Sequence, residues 1–368
     1  MMRFTLRFGL SAMSTQAVGT FGMIKTFVGR YDDGFAFGRL AMHLLETTKS
    51  QEVGARTILV VCCYTNHWKM PLDTLVAPLH RAYTNGLATS EIGTGLLAAY
   101  NRIMVLGSIG TPLDQMDDEI LAIEELCFEF KQDGIKTMLA PTHQAVLNFQ
   151  GRSTFPMILT GTIMDQVAFT EDAKNAKNQV LLHSITFAQL KLGLHFQEWS
   201  TVACLLPVIE VYRAQSKGAA KHFTVYDFIL VSGIAYAVMW QQTGKKSNLR
   251  KFKRALKQSQ LWLASGLKQC QANCSFLVAE EKVLQKAGVD AIKQSFDKAI
   301  LDMEQAKLIH FQAFANDRAA TVLSELKVHT AALEYYIEAR ELYWRYGAHA
   351  KVDRLDCRIE SLRSLANN

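Results

Sequence analysis

The chain has 368 residues, of which 49% are hydrophobic and 20% charged, and its formal net charge is +6. This length suits two or three globular domains or one extended solenoid, and the composition excludes a disordered chain. The charge is unevenly placed: eight acidic residues lie between Asp114 and Asp133, whereas Phe228 to Ala279 holds eight basic residues and no acidic one. Such blocks predict opposed surface patches and argue against a dedicated nucleic-acid binder.

The first 150 residues show successive helical patterns. A helix that ends near Gly29 precedes a turn in which Asp32 is the expected N-cap. The next helix carries the amphipathic stripe Phe37, Leu40, Ala41, Leu44 and Leu45. The remaining pattern predicts helices at 52–67, 72–85, 90–106, 112–132 and 137–149.

The segment from Gly151 to Lys174 is the most loop-like part of the chain, because it holds Pro156, Gly161 and scattered polar residues. We therefore expect an irregular insertion at 151–177, which is also a candidate partner-contacting surface. Helical patterns resume afterwards and no convincing strand pattern occurs. We expect N-terminal hairpins at 1–150 and C-terminal hairpins at 178–368, all in one continuous solenoid. The C-terminal pattern predicts helices at 178–194, 199–215, 225–242, 249–265, 269–286, 290–308, 311–326, 329–346 and 349–365.

The last predicted hairpin alternates small and aromatic residues. Two alanines seven residues apart share a helix face, tyrosines supply bulk for the neighbouring helix, and a glycine allows the left-handed turn that ends a helix. This alternation is typical of tetratricopeptide hairpins. It predicts an all-α fold, a right-handed superhelical solenoid of tetratricopeptide-like α-α hairpins. The structural motif of this hairpin comprises Ala332, Ala339, Tyr343, Tyr346, Gly347, Ala348 and Lys351.

The basic block after Gly244 has two interpretations. One is an electrostatic dock for an acidic partner, lipid head groups, RNA or a nuclear import receptor. The other is an ordinary exposed helix face whose inner stripe is Leu249, Phe252 and Leu256. The acidic helix from Asp114 to Gln132 would satisfy this block within the chain or across a dimer. The candidate partner-binding patch comprises Lys245, Lys246, Arg250, Lys251, Lys253, Arg254 and Lys257.

The sequence shows no motif for catalysis, metal binding or phosphate binding. Gly244-Lys-Lys-Ser247 lacks the first glycine and the preceding strand of a phosphate-binding loop. Cys270 and Cys274 would supply only half of a zinc site. No histidine has a phosphoacceptor context, and no Ser-His-Asp order is visible. We predict no catalytic residue, metal or cofactor, and we expect the seven cysteines to be reduced in a cytoplasmic protein.

Several segments, taken in order, resemble one known family. Together they are similar to the tetratricopeptide-like helical region of very large cyanobacterial and algal signalling proteins. Those proteins join a protein-kinase-like domain, an AAA-type ATPase, this helical region and often a GAF sensor with a histidine kinase. The segments are Tyr31-Asp-Asp-Gly-Phe-Ala-Phe-Gly-Arg-Leu-Ala-Met-His-Leu-Leu45, His67-Trp-Lys-Met-Pro-Leu72, Leu79-His-Arg-Ala-Tyr-Thr-Asn-Gly-Leu87, Ala98-Ala-Tyr-Asn101, Gly110-Thr-Pro-Leu113, Asn273-Cys-Ser-Phe-Leu-Val-Ala-Glu-Glu281, Phe296-Asp-Lys-Ala-Ile300 and Tyr346-Gly-Ala-His-Ala-Lys-Val352.

The resemblance implies a non-catalytic regulatory or scaffold module for protein-protein interaction in signal transduction. Its partners would be other proteins or flanking signalling domains. One alternative is a stand-alone adaptor that binds peptides. A second is a fragment of an ATP-dependent signalling kinase, although the kinase and ATPase motifs are absent from this sequence. We expect no nucleic-acid partner and no transmembrane segment, because the longest apolar run, Phe228 to Trp240, is shorter than the roughly 20 residues that span a bilayer.

Overall fold

The computed structural model describes residue 7 and residues 9–49, 51–215 and 221–366. Every regular element within these ranges is an α-helix or a short 3-10 turn, and they contain no strand. The all-α prediction is therefore confirmed. No helix among the described residues has both the length and the apolar character needed to cross a membrane.

The chain divides into two compact units. The first comprises Met1–Ile109, Asp118–Leu139 and Lys217–Val225, and the second comprises Gly110–Asp117, Ala140–Ser216 and Tyr226–Asn368. A later helix, Val225–Thr243, has its first residue in the first unit, and α6 (Leu113–Glu129) and α7 (Asp133–Phe149) each contribute residues to both units. The helices that precede them are α1 (Ala12–Phe27), α2 (Tyr31–Thr48), α3 (Gly54–Tyr64), α4 (Val76–Ala88) and α5 (Ile92–Ser108).

In the first unit, neighbouring helices pack as hairpins around buried aliphatic side chains and the thiols of Cys62 and Cys63. Helices α4 and α5 approach most closely at Gly86 and Gly95. A Cβ atom added to Gly86 would lie 2.5 Å from the Cα of Gly95. Glycine is therefore required there because the two backbones are in contact, and any side chain would force the helices apart.

The second unit continues the hairpin pattern. Helices α9 and α10 pack together, and from α13 onward each helix packs on the next, as expected when each hairpin must bury its apolar face against a neighbour. The α-α hairpin solenoid prediction is thus confirmed. Its helices are α8 (Gln166–Asn175), α9 (Gln179–His195), α10 (Trp199–Gln215), α11 (Val225–Thr243), α12 (Lys246–Ala264), α13 (Gln271–Leu284), α14 (Val289–Gln305), α15 (Ile309–Glu325), α16 (His329–Tyr346) and α17 (His349–Ala366).

Left-handed residues mark the ends of these helices at a regular interval. Lys286, Lys307, Lys327 and Gly347 follow α13, α14, α15 and α16, with φ values of 52°, 58°, 61° and 89°. Successive members of this series are about 20 residues apart, which corresponds to one helix and one short turn. A hairpin therefore repeats about every 40 residues, within the range of helical-repeat proteins.

Two local expectations are wrong. Helix α2 begins at Tyr31 with Arg30 at the N-cap position, so Asp32 lies in the first turn and is not the cap. The region 151–177, expected to be irregular, contains α8. This helix forms because Asp165 occupies the N-cap position and its Oδ1 accepts a hydrogen bond of 2.9 Å from the Ala168 backbone N–H. The wider division into N-terminal and C-terminal sets of hairpins stays a prediction.

Candidate interaction surface

Helix α12 has an apolar face and a basic face. Its core side consists of Phe252, Ala255, Leu256, Ser259 and Trp262, which are buried. On the opposite side, exposed basic residues recur at helical spacing, so they form one straight stripe about 16 Å long. The stripe consists of Lys246, Arg250, Lys253 and Lys257, and the exposed Lys245 and Arg254 lie beside it.

This basic face has no counterion within the chain as described. None of its six exposed cations has a carboxylate oxygen of a described residue within 4 Å. Like charges one turn apart, such as Lys246 with Arg250 and Lys253 with Lys257, destabilise a helix by about 0.2–0.5 kcal/mol per pair. The sequence therefore keeps a charge arrangement that costs helix stability, and only an external anion would relieve it.

Lys251 belongs to the predicted patch by sequence, but its surroundings are different. It is half-buried, and its Nζ donates a hydrogen bond of 3.3 Å to the Tyr236 hydroxyl and lies 3.9 Å from a Glu210 carboxylate oxygen. The ammonium also lies over the Tyr236 ring, 4.9 Å from its centroid. Because Glu210 is on α10 and Tyr236 is on α11, Lys251 connects three helices and is not part of the free basic face.

An exposed leucine extends the stripe at its C-terminal end. Leu261 lies one helical turn beyond Lys257 and is 54% exposed. A ligand that follows the stripe would thus meet charged groups first and an apolar side chain last. Such a surface suits an amphipathic segment with carboxylates along most of its length.

A shallow cavity of about 460 Å³ lies between α13 and α14. Polar groups at one end of the cavity are already hydrogen-bonded within the chain, because the Asp302 carboxylate accepts hydrogen bonds from Lys298 at 2.6 Å and from Gln271 at 3.0 Å. Its shallow shape and internal pairing do not define a ligand. The lining residues are Gln271, Cys274, Ser275, Val278, Lys282, Ala291, Gln294, Ser295 and Lys298.

Cys270 and Cys274 are both buried, and Cys274 lines this cavity. Burial raises the pKa of the Cys270 thiol to about 12, so the thiol is protonated at neutral pH. A zinc site needs thiolates and further nitrogen or sulfur ligands. The part of the chain that the structure describes holds no group of three or more Cys, His, Asp or Glu side chains suited to a metal ion.

The C-terminal motif lies inside the hairpin stack. Ala332, Ala339, Tyr343 and Ala348 are fully buried, Tyr346 is nearly so, and Gly347 ends α16. Lys351 is also fully buried, and its Nζ lies 2.7 Å from an Asp317 carboxylate oxygen on α15. The motif therefore combines close helix packing with a buried charge pair.

Further buried polar contacts hold the corner between α9 and α10. Arg318 binds Glu280 with two hydrogen bonds of 2.8 and 2.9 Å, and its guanidinium lies 5.9 Å from the centre of the Trp199 ring at that corner. His195 Nδ1 and the Tyr343 hydroxyl are 2.8 Å apart. Burial lowers the pKa of His195 well below its usual range, so the ring is neutral at physiological pH. These groups are closed to solvent, which favours a structural role over catalysis.

The sequence alone did not reveal this buried network. Its partners are far apart along the chain: Glu280 and Arg318 are 38 positions apart, and His195 and Tyr343 are 148 positions apart. The sequence indicates the network only through charged residues that occupy helix positions where the amphipathic pattern predicts apolar side chains. Glu280 and Arg318 are of this kind, because each sits among buried neighbours in its own helix.

No family model matches the chain. A stretch of 166 residues, 44% of this chain, is 26% identical to hybrid signal transduction histidine kinase G of Dictyostelium discoideum, and it spans 4% of that protein. A solved structure of a Rap protein complexed with competence and sporulation factor aligns with 96% of this chain and 98% of its own, at a TM-score of 0.45 and 11% identity. The chain is thus similar to one small piece of a much longer signalling protein.

Proposed function

We propose that this chain is a non-catalytic interaction module of signal transduction, and that the basic face of α12 docks an acidic segment of a protein partner. The observation that carries the proposal is the stripe of exposed cations without counterions on a helix whose other side is in the core. The module acts in the cytoplasm as a scaffold or regulatory element. The partner is either a separate protein or a flanking domain of a longer signalling protein.

An acidic protein segment fits the stripe better than a nucleic acid does. The cations occupy one face of one helix, about 16 Å long, which matches three turns of a partner helix. Nucleic-acid binding favours a broadly basic domain that contacts many phosphates. Here the net charge is only +6, and the chain also carries a strongly acidic block.

The match to a histidine kinase supports a location within or beside a kinase of the ATP-dependent signalling class. A stand-alone peptide-binding adaptor is the other arrangement that the same surface serves. In both arrangements the binding energy comes from α12, and catalysis belongs to other domains. The AAA-ATPase association that the sequence motifs imply is part of this proposal.

The test is binding of a labelled peptide helix with glutamates at i, i+4, i+7 and i+11, measured by fluorescence anisotropy at low salt. We expect saturable binding that the triple variant Arg250→Glu/Lys253→Glu/Lys257→Glu weakens by about tenfold or more. A matched control variant, Lys174→Glu/Arg345→Glu/Arg363→Glu, reverses three exposed helical cations elsewhere. A sequence-scrambled peptide of the same composition tests whether the helical spacing matters.

The proposal fails if the wild type does not bind the peptide, or if both triple variants weaken binding equally. Duplex RNA and anionic vesicles serve as competing ligands in the same assay. Tighter binding of either one than of the peptide, lost in the α12 variant, would assign the face to that ligand class instead. Circular dichroism of each variant establishes that the helices remain folded.

A further inference from the structure

We propose that two copies of this chain associate through the basic stripe of α12 in one copy and the acidic outer face of α6 in the other. The inference rests on the proposed function and names a second copy of the chain as the source of the acidic helix. Three properties of α6 support it: its exposure, its unpaired charges and the spacing of those charges.

The outer face of α6 is acidic with exposed apolar side chains between the charges. Its inner side holds Met116, Ile120, Ile123 and Cys127, which are buried. Its outer side exposes Asp118, Glu125 and Glu129. Leu121 and Phe128 lie on the same outer side and are 42% and 79% exposed. Two exposed apolar side chains therefore lie beside the three carboxylates.

Five of the seven carboxylates of α6 fall into two groups. Those toward the core are paired: Asp117 lies 2.8 Å from His143 Nε2, and Glu119 forms a bidentate pair with Arg102. The three on the outer face have no lysine, arginine or histidine nitrogen within 4 Å among the described residues. The acidic face of α6 and the basic face of α12 are therefore both without counterions.

The charged residues of the two faces have the same spacing when the two helices run antiparallel. On α6, Glu129, Glu125 and Asp118 are separated by four and seven residues, and on α12, Lys246, Arg250 and Lys257 are separated by four and seven residues. An antiparallel helix pair therefore places Glu129 opposite Lys246, Glu125 opposite Arg250, and Asp118 opposite Lys257. Each set spans about 16 Å.

One exposed apolar residue of α6, Leu121, fits the same register. In this alignment Leu121 lies beside Lys253, whose aliphatic stem can cover an apolar side chain while its charged group remains in water. A separate acidic partner would neutralise the basic stripe but would leave the carboxylates of α6 without counterions. A second copy supplies counterions to both charged faces.

Sedimentation velocity of the full chain tests this inference. We expect a species larger than 41.2 kDa at low salt that dissociates as salt rises, because the contacts are exposed ion pairs. Variant A, Lys246→Glu/Arg250→Glu/Lys257→Glu, and variant B, Asp118→Lys/Glu125→Lys/Glu129→Lys, should each weaken self-association by about tenfold or more. The control variant Lys174→Glu/Arg345→Glu/Arg363→Glu should associate as the wild type does.

Mixing separates a specific contact from a general charge effect. In variant A both faces are acidic, and in variant B both faces are basic. In an equimolar mixture each acidic face of variant A can pair with a basic face of variant B, so the mixed complex should form although neither variant associates alone. A chain that carries all six reversals should also regain self-association. Failure of both rescues overturns the α6–α12 contact, even if the wild type associates.

The outcomes for this inference and for the proposed function are distinguishable. A wild-type chain that remains at 41.2 kDa but binds the glutamate peptide contradicts the second-copy assignment and leaves the docking function in place. A chain that neither associates nor binds the peptide contradicts both. Association that the peptide inhibits competitively, with an inhibition constant equal to its measured Kd, supports both.

Discussion

Replacing Lys351 by methionine tests the role of the buried charge pair in the second unit. Lys351 and Asp317 are both 0% exposed, and their charged groups are 2.7 Å apart. Burial lowers the pKa of Lys351 to about 8, and the nearby Asp317 carboxylate opposes that shift. Methionine preserves most of the length and volume of lysine, so the substitution removes the charge with little change in packing.

The expected cost follows from the carboxylate that is left behind. Removing one partner of a buried ion pair typically costs about 3–5 kcal/mol, because the remaining charge stays desolvated. Here Arg358 remains 3.6 Å from Asp317 and is 29% exposed, so it compensates in part. We therefore expect a loss of about 3 kcal/mol. For a unit of this size that loss lowers Tm by roughly 6–12 °C.

Thermal and urea unfolding, followed by circular dichroism, measure this loss. The double variant Lys351→Met/Asp317→Leu removes both charges and should recover most of the stability, since well-packed apolar residues often replace a buried pair at no cost. Lys307→Met, at an exposed position, is the control. A single variant that costs less than about 1 kcal/mol, or a double variant as unstable as the single one, would refute the reasoning.

Two further predictions concern helix contact and pH. Gly86→Ala should cost about 1–3 kcal/mol in urea unfolding, because its Cβ would lie 2.5 Å from the Gly95 Cα, whereas Gly134→Ala, in open space on α7, should be neutral or stabilising; equal effects would contradict the close contact. Burial lowers the pKa of His310 well below its unfolded value of about 6.5, so below pH 6.5 the unfolded chain binds a proton that the fold excludes, and stability falls as pH falls. His310→Leu should therefore reduce the stability difference between about pH 7 and pH 5 by roughly 2 kcal/mol, and an unchanged difference would show that the ring is protonated in the fold.

Helix positions could be predicted from the sequence because amphipathic stripes repeat along it. The turns were harder to assign. Gly347 ends a helix in the left-handed conformation that glycine favours, and the sequence shows this directly. Lys286, Lys307 and Lys327 adopt the same conformation at equivalent places. Lysine is not a left-handed residue by preference, so its identity does not reveal these turns, although the same backbone hydrogen bond closes them, for example from the Ala287 N–H to the Lys282 carbonyl and from the Ala348 N–H to the Tyr343 carbonyl.

The helix α8 was missed because its signal is weak. A helix of ten residues is short and has little stability of its own. Ala173 is the one buried residue of this helix. Asp165 is a good N-cap residue, but the preceding Pro156 and Gly161 indicated a loop. A helix is predicted from the length and the amphipathic pattern of its segment. Helix α8 is short and its amphipathic pattern is weak.

The buried network and the basic face differ in how far a sequence can reveal them. The basic face depends on spacing within one helix, so Lys246, Arg250 and Lys257 could be placed together at once. A buried ion pair such as Glu280 with Arg318 depends on which helices meet in the fold, and spacing within a helix carries no information about it. The sequence therefore predicts outward-facing charges better than inward-facing ones.

Lys251 and Arg254 show this difference within one helix. From spacing alone both belong to the basic face, but Lys251 is held by Glu210 and Tyr236, whereas Arg254 is exposed. Lys251→Glu would bring two carboxylates together and remove the cation from the Tyr236 ring, so we expect a loss of about 1 kcal/mol in urea unfolding. Arg254→Glu should leave stability within about 0.5 kcal/mol and weaken binding of the acidic peptide. Equal stability of the two variants would mean that Lys251 belongs to the free face, and that the face has seven cations available to a partner.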